Sequence, residues 1–197
     1  MRTITSGTII FSKMDNYYVH PLADVQSESI GDSTRIWQYT VVLKNAIIGS
    51  NCNICSHCFI ENDVVIGNNV TLKFFVELCD GVTIEDDVFI APHVSFTNDM
   101  KPRSKKTLVQ PLKTCIKKGA SIGANVALSP GITIGQYAFI APGAAVSKNV
   151  PPFTFWGGVP AIHMGYVTKE CDVLNMDLNC KRTQKQYRWE NGEITEA

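Results

Sequence analysis

Apolar residues recur at every sixth position from Ile30: Ile30, Ile36, Val42, Ile48, Ile54, Ile60, Ile66, Leu72, Leu78, Ile84, Ile90 and Phe96. Four residues after each stands a small or β-branched side chain, from Thr34, Thr40, Ala46, Cys52 and Cys58 through Val64, Val70, Val76, Val82, Val88 and Val94, until Met100 ends the series. The pattern resumes at Ile116, Ile122, Leu128, Ile134, Ile140 and Val146, with Ala120, Val126, Ile132, Ala138 and Ala144 as the second set. A period of six suits neither the 3.6-residue helix nor a simple alternating strand, but a short strand plus a corner meets it. Between the inward sites stand Asn45, Asn51, Asp63, Asn69, Gly81, Asp87, Asn125, Gly131 and Gly143. These residue types best tolerate the positive φ of a sharp corner. Three hexads closing into one triangular coil, stacked as parallel strands roughly 4.8 Å apart, would bury every inward residue in one core. The pattern predicts an all-β hexapeptide-repeat β-helix.

If three hexads make one lap, residues 18 apart become vertical neighbours. One corner column then reads Tyr39, His57, Phe75, His93, and the strand leaving it points Phe59 and Glu61, Glu77 and Cys79, and Ser95 and Thr97 outward on successive coils. The next corner stacks Asn62-Asp63, Asp80-Gly81 and Asn98-Asp99. One face therefore gathers two histidines, two glutamates and a row of Asn and Asp. The period breaks after Asp99 into a loop from Thr97 to Lys113 that carries Pro102, Arg103, Lys105, Lys106 and Pro111. Coils need no such insertion to stack, so the loop is expected to close a cleft.

Composition narrows the class. The 197-residue chain has 18 Lys+Arg against 18 Asp+Glu, which removes the basic footprint of a nucleic-acid or anionic-membrane partner. No apolar run approaches the ~20 residues of a membrane span. The first residues lack the continuous apolar segment of a secretory signal, and seven cysteines is an odd count that suits a reducing compartment. The expectation is a cytoplasmic protein. Cys52, Cys55, Cys58 and His57 have the close spacing of zinc ligands, but Cys52 and Cys58 fall on inward repeat positions, so they read as core residues and no metal is expected.

The strings IGSNCNI, IGNNV, IEDDVFI and IGANV resemble the hexapeptide acyltransferases. The resemblance implies a left-handed wind, against the general right-handed crossover rule, and a trimer with sites between subunits. HCFIENDVVIGNNV, followed by DGVTIEDDVFIAPHVSFTNDMKPRSK, resembles the bacterial N-acetyltransferases of nucleotide-linked 3-amino-3,6-dideoxyhexoses, over about residues 19–165. What it implies is acetyl transfer from acetyl-CoA to the 3-amino group of a dTDP-linked sugar. That reaction needs a neutral amine held against the thioester carbon and a donor for the developing oxyanion. His57, ranked first, or His93 is the candidate base; the branch does not require one, since positioning and a thiolate leaving group can suffice. Glu61, Asn62, Glu77, Asp80, Asn98 and Asp99 are the substrate-binding candidates, with Arg103 for the diphosphate. Coenzyme A is expected along the later coils at Ser121, Gly123, Ala124, Ser129 and Ala141, with Lys148 and Pro160 resembling the family's end-of-helix contacts.

Two other readings remain open at this stage: an N-acetyltransferase of a UDP-linked amino sugar or amino sugar acid, and a noncatalytic β-helical scaffold or sugar-nucleotide-binding module. Trp37 and Tyr39 suit either base stacking or packing between subunits. The chain divides into a repeat domain, 1–165, and a small appendage, 166–197, in which Asn191-Gly192 signals a hairpin.

Overall fold

The computed structural model describes residues 16–106 and 110–197; the N-terminal stretch read for a signal and residues 107–109 of the loop lie outside the described residues. Short parallel strands stack into three faces. Face A carries Tyr18–Val19, Arg35–Ile36, Asn53–Ile54, Thr71–Leu72, Phe89–Ile90, Ser121–Ile122, Phe139–Ile140 and Thr154–Gly157. Face B carries Asp24–Val25, Val41–Val42, Phe59–Ile60 and Glu77–Leu78, then Ser95, which bridges Glu77 to Ala127, then Ala127–Leu128 and Ala145–Val146. Face C carries Ile47–Ile48, Val65–Ile66, Val82–Ile84, Thr114–Ile116 and Thr133–Ile134. Arg35, Asn53, Thr71 and Phe89 pair in turn, each 18 residues from the last, so one lap is the expected three hexads.

Both inward series are buried apart from Ile30 on the first coil, which is half-buried, and Ile36, Ile54, Ile60, Leu72 and Ile90 are wholly so. Each such aliphatic side chain contributes about 1.5–3 kcal/mol on leaving water. Thr34 and Thr40 enter this core because their hydroxyls donate to the carbonyls of Gly49 and Cys55, at 2.7 and 2.9 Å. One coil on, Cys52 and Cys58 do the same with their thiols toward Gly67 and Lys73, at 3.1 and 3.2 Å. They are core residues, and burial pushes the Cys58 thiol up to about 12.

The corners partly follow expectation. Asn51, Asn69, Asp87, Asn125, Gly81, Gly131 and Gly143 have positive φ, but Asn45 and Asp63 do not. Their corner bends through a turn closed by Ala46 N–H to Leu43 O at 3.3 Å, and side chains of the next coil accept from it: Asn62 from the Asn45 N–H at 3.4 Å and Asp80 from the Asp63 N–H at 2.7 Å. The left-handed conformation appears instead at Tyr39, His57, Phe75 and His93.

The solenoid is irregular at both ends. Tyr18 pairs with Arg35 and Phe139 with Phe155, laps shorter than 18 residues, so the outermost coils fall out of the sequence period. Trp156 closes the end of the core: Lys148 Nζ lies 5.2 Å from its ring centre and His163 stacks on it at 6.0 Å. Ile162–Val167 then returns antiparallel to Thr154–Gly157, so the expected boundary after residue 165 falls inside a strand. Beyond it, the hairpin Tyr187–Glu190/Glu193–Glu196 turns at Asn191 and Gly192, both at positive φ. Phe153, Leu174, Cys180, Tyr187 and Ile194 form a second small core beneath it.

Candidate active site

The corner between faces A and B is a ridge of rings. Tyr39 and His57 lie 5.0 Å apart, His57 and Phe75 4.8 Å, and Phe75 and His93 5.0 Å, the last pair within 9° of parallel. All four have φ between 58° and 62°. For a side chain other than Gly, Asn or Asp that conformation costs about 1–2 kcal/mol per residue. Each ring contact returns only about 0.5–1.5 kcal/mol. The same corner uses Asn125 and Gly143 one and two coils later, residues that avoid the cost. Tyr137 and Phe153 hold the same conformation on the corner between faces C and A, at φ 53° and 56°, but their rings pack into the second small core; a column both strained and left exposed points to function. The four rings are exposed, and the imidazole nitrogens of His57 and His93 make no hydrogen bond among the described residues.

Face B runs from this ridge to the corner that bears the loop. Phe59, Glu77, Ser95, Ala127 and Ala145 form its outward column. The other acidic and amide candidates act locally on the backbone. Glu61 accepts from the Asp80 N–H at 2.6 Å, Asn98 donates to the Asp80 carbonyl at 3.2 Å, and Asp99 accepts from the Lys101 N–H at 2.8 Å. With Asp80 and Asn62, Glu61 and Asn98 lace successive corners together, while Asp99 closes a turn within the loop. Glu77 is different: it is exposed in mid-face, with no hydrogen bond or ion pair among the described residues. Beside Glu61, burial and then the carboxylate's charge push the Cys79 thiol up to about 11, so it is a neutral wall of the face.

The loop leaves and returns at one point, where the Leu112 N–H donates to the Asn98 carbonyl at 3.0 Å. Lys101, Arg103, Lys105 and Lys106 are exposed on it, and the Arg103 guanidinium donates to the Pro102 carbonyl at 2.9 Å. A face with one free carboxylate is thus flanked by imidazoles on one side and by cations on the other.

The cofactor candidates separate into groups. Past His93 the ridge drops to a shelf of small residues, Ala124, Asn125, Pro142 and Gly143, and Asn125 N–H donates to the Pro92 carbonyl at 3.0 Å, directly next to His93. Ser129 lies beyond the shelf on the face B side, Ser121 and Ala141 on the face A side. Gly123 is buried against Pro142, so it shapes the shelf without presenting a surface. Lys148 and Pro160 sit at the end of the solenoid, with the Lys148 ammonium over Trp156. Trp37 donates from its indole to Asn53 at 2.8 Å, and Tyr39 heads the ring ridge.

A groove of about 670 Å³ on face C, lined by Glu85, Lys117, Thr133, Gln136 and Asn149, contains none of the expected site residues. Glu85 there would be pushed up by burial, but hydrogen bonds from Lys117 Nζ at 2.7 Å and the Lys118 N–H at 3.0 Å outweigh that and hold it below the usual carboxylate range. Sequence reasoning passed over two features. Phe75 is a member of a column, yet an aromatic residue on coils where the corner between faces C and A places Asn51, Asn69 and Asp87 is a signal in itself. Phe139 and Phe155 stack at 5.4 Å beside Ser121, a pair hidden by the shortened last lap.

Comparison with known proteins agrees with this architecture. Residues 29–62 and 63–98 match the family model described as bacterial transferase hexapeptide (six repeats). The chain is 44% identical over 188 residues to the dTDP-3-amino-3,6-dideoxy-alpha-D-galactopyranose 3-N-acetyltransferase of Aneurinibacillus thermoaerophilus, covering 94% of this chain and 97% of that one. It is 32% identical over 105 residues to the galactoside O-acetyltransferase of Escherichia coli (strain K12), covering 50% of this chain and 52% of the relative. A UDP-N-acetylglucosamine acyltransferase from Bacteroides fragilis 9343 superposes with a TM-score of 0.65 at 22% identity, over 77% of this chain and 62% of that one, a likeness of fold. The chain is therefore a left-handed parallel β-helix and belongs to the hexapeptide-repeat acyltransferases, with the N-acetyltransferases of nucleotide-linked 3-amino-3,6-dideoxyhexoses.

Proposed function

We propose that this protein transfers the acetyl group of acetyl-CoA to the 3-amino group of a dTDP-linked 3-amino-3,6-dideoxyhexose, working as a homotrimer whose sites lie between subunits. The observation that carries this reading is the 44% identity to an enzyme of that activity over nearly the whole of both chains. The strained ring ridge, the free Glu77 and the cationic loop around one face support it, because a scaffold needs none of them. The seven cysteines are all unpaired, which fits the cytoplasm.

In this reading the pantetheine arm follows the shelf and brings the thioester to the end of the ring ridge. The sugar lies over face B, its amine oriented by Glu77 and its diphosphate met by Arg103 and the loop lysines. The amine lone pair forms the new C–N bond as the carbonyl π pair moves to oxygen. One N–H proton passes to an imidazole. When the C–S bond breaks, the thiolate leaves and takes up that proton as free coenzyme A. His93 is the better placed of the two bases, since it adjoins the shelf while His57 has Tyr39 on one side and Phe75 on the other. The direct test is incubation of the purified protein with acetyl-CoA and a panel of dTDP- and UDP-linked amino sugars, following thiol release and product mass. Acetylated dTDP-3-amino sugar is expected; turnover of the UDP-linked sugars alone, or of none, overturns the reading.

A further inference from the structure

Phe75 stands between the two candidate bases. Its ring stacks on His57 at 4.8 Å and 28°, and on His93 at 5.0 Å and 9°. Phe74 adds an edge contact to His93 at 6.1 Å and 87°, and an edge contact to Phe75 at 6.0 Å and 88°. His93 is exposed, and no hydrogen bond among the described residues fixes its nitrogens. Ring contacts are therefore what fixes the plane of this imidazole. Catalytic histidines are ordinarily oriented by a hydrogen bond to the second ring nitrogen. Here a stacked hydrocarbon ring takes that part, leaving both nitrogens available at the edge. Phe75 also holds φ 59°, a backbone state that Asn or Gly would adopt more readily, as Asn125 and Gly143 do on the same corner. An aromatic residue kept at such a position is kept for its ring.

We propose that Phe75 is a positioning residue, which sets the plane of His93, and secondarily of His57, so that an imidazole nitrogen meets the substrate amine where the ridge gives way to the shelf. The proposal rests on the reading that a histidine accepts the amine proton during acetyl transfer. Phe75 touches neither substrate in this account. It acts on the chemical step and not on binding.

Four variants of the full-length protein separate this inference from the reading beneath it: Phe75→Leu, Phe75→Tyr, His93→Asn and His57→Asn. Phe75 is 47% exposed, so replacing it leaves the core intact. In Phe75→Leu, kcat is expected to fall by about tenfold to a hundredfold, the scale set by small misplacements of a reacting group, with KM for both substrates within about twofold. Phe75→Tyr restores the ring and is expected to restore kcat. In NMR spectra, the carbon-bound ring protons of His57 and His93 lose in Phe75→Leu the part of their ring-current displacement that Phe75 supplies, leaving those of Tyr39 and Phe74, and keep it in Phe75→Tyr. If neither histidine variant lowers kcat, the histidine reading falls and takes this one with it. If either does, and Phe75→Leu turns over like the parent or raises KM alone, only the positioning role falls. Loss of kcat in both Phe75 variants also overturns it.

Discussion

A single methyl group tests whether the coils press together as tightly as the shared core requires. A Cβ added at Gly49 would lie 2.5 Å from the Gly67 carbonyl oxygen and 2.6 Å from its carbon, both on the coil above. That is roughly 0.9 Å short of ordinary contact, and the obstacle is backbone, which cannot rotate aside. Gly49→Ala must therefore separate two coils and stretch the strand pairing of Ile47–Ile48 with Val65–Ile66. Overpacking of this kind costs about 1–3 kcal/mol, and a rigid obstacle places it at the upper end. For a chain of this length each kcal/mol lowers Tm by about 2–4 °C, so a fall of roughly 6–12 °C is expected. Gly143→Ala is the comparison. Nothing lies within 4 Å of its added Cβ, and only its φ of 73° opposes the change. That costs about 1 kcal/mol. Thermal unfolding at matched protein concentration reads both, since assembly would make Tm concentration-dependent. If Gly49→Ala melts as high as Gly143→Ala, the coils are not in the contact described.

Other outcomes follow from particular contacts. His163 Nε2 is buried between Trp156 and Tyr166 with no hydrogen-bond partner among the described residues, so His163→Phe should raise stability by about 1 kcal/mol in urea unfolding. Glu61→Ala strands the Asp80 N–H and should cost about 1–2 kcal/mol, whereas Glu61→Gln keeps an acceptor and should cost less; equal losses would assign the carboxylate another role. Glu85 is held below the usual carboxylate range when folded, so its contribution is present above the unfolded value near 4.3 and is lost as pH falls through the folded one. The Tm advantage over Glu85→Gln, small at neutral pH because the pair is half exposed, should shrink as pH falls below the unfolded value and vanish once the folded carboxyl is protonated. Cys52 and Cys58 should resist a maleimide at pH 8 in the native protein and react only on unfolding, because both are buried and burial raises both thiols.

Sequence and structure agree most closely where the period is unbroken. Stacking of His57, Phe75 and His93 follows from counting hexads, because each lap must return the chain to the same corner to bury its inward pair. The count loses its hold at Tyr18–Val19 and Thr154–Gly157, where short laps shift the phase, and the stack of Phe139 on Phe155 disappears with it. Chemistry was less legible than position. Glu61, Asp80 and Asn98 read as free polar groups in the sequence, as Glu77 does, yet backbone groups of adjoining coils occupy them. Only hydrogen-bond geometry separates them from Glu77. Corner residues show the reverse limit: Asn45 and Asp63 have the right chemistry for positive φ and do not use it, while four rings without that chemistry do.

Acetyl transfer is proposed to take place where the ring ridge meets the small-residue shelf, and a crystal structure of the protein with coenzyme A and a dTDP-3-amino-3,6-dideoxyhexose would locate it. The thiol is expected beside Asn125 and Ala124, with the sugar amine between it and His93. Coenzyme A lodged in the groove of Glu85 and Lys117, or an amine remote from both imidazoles, would contradict it.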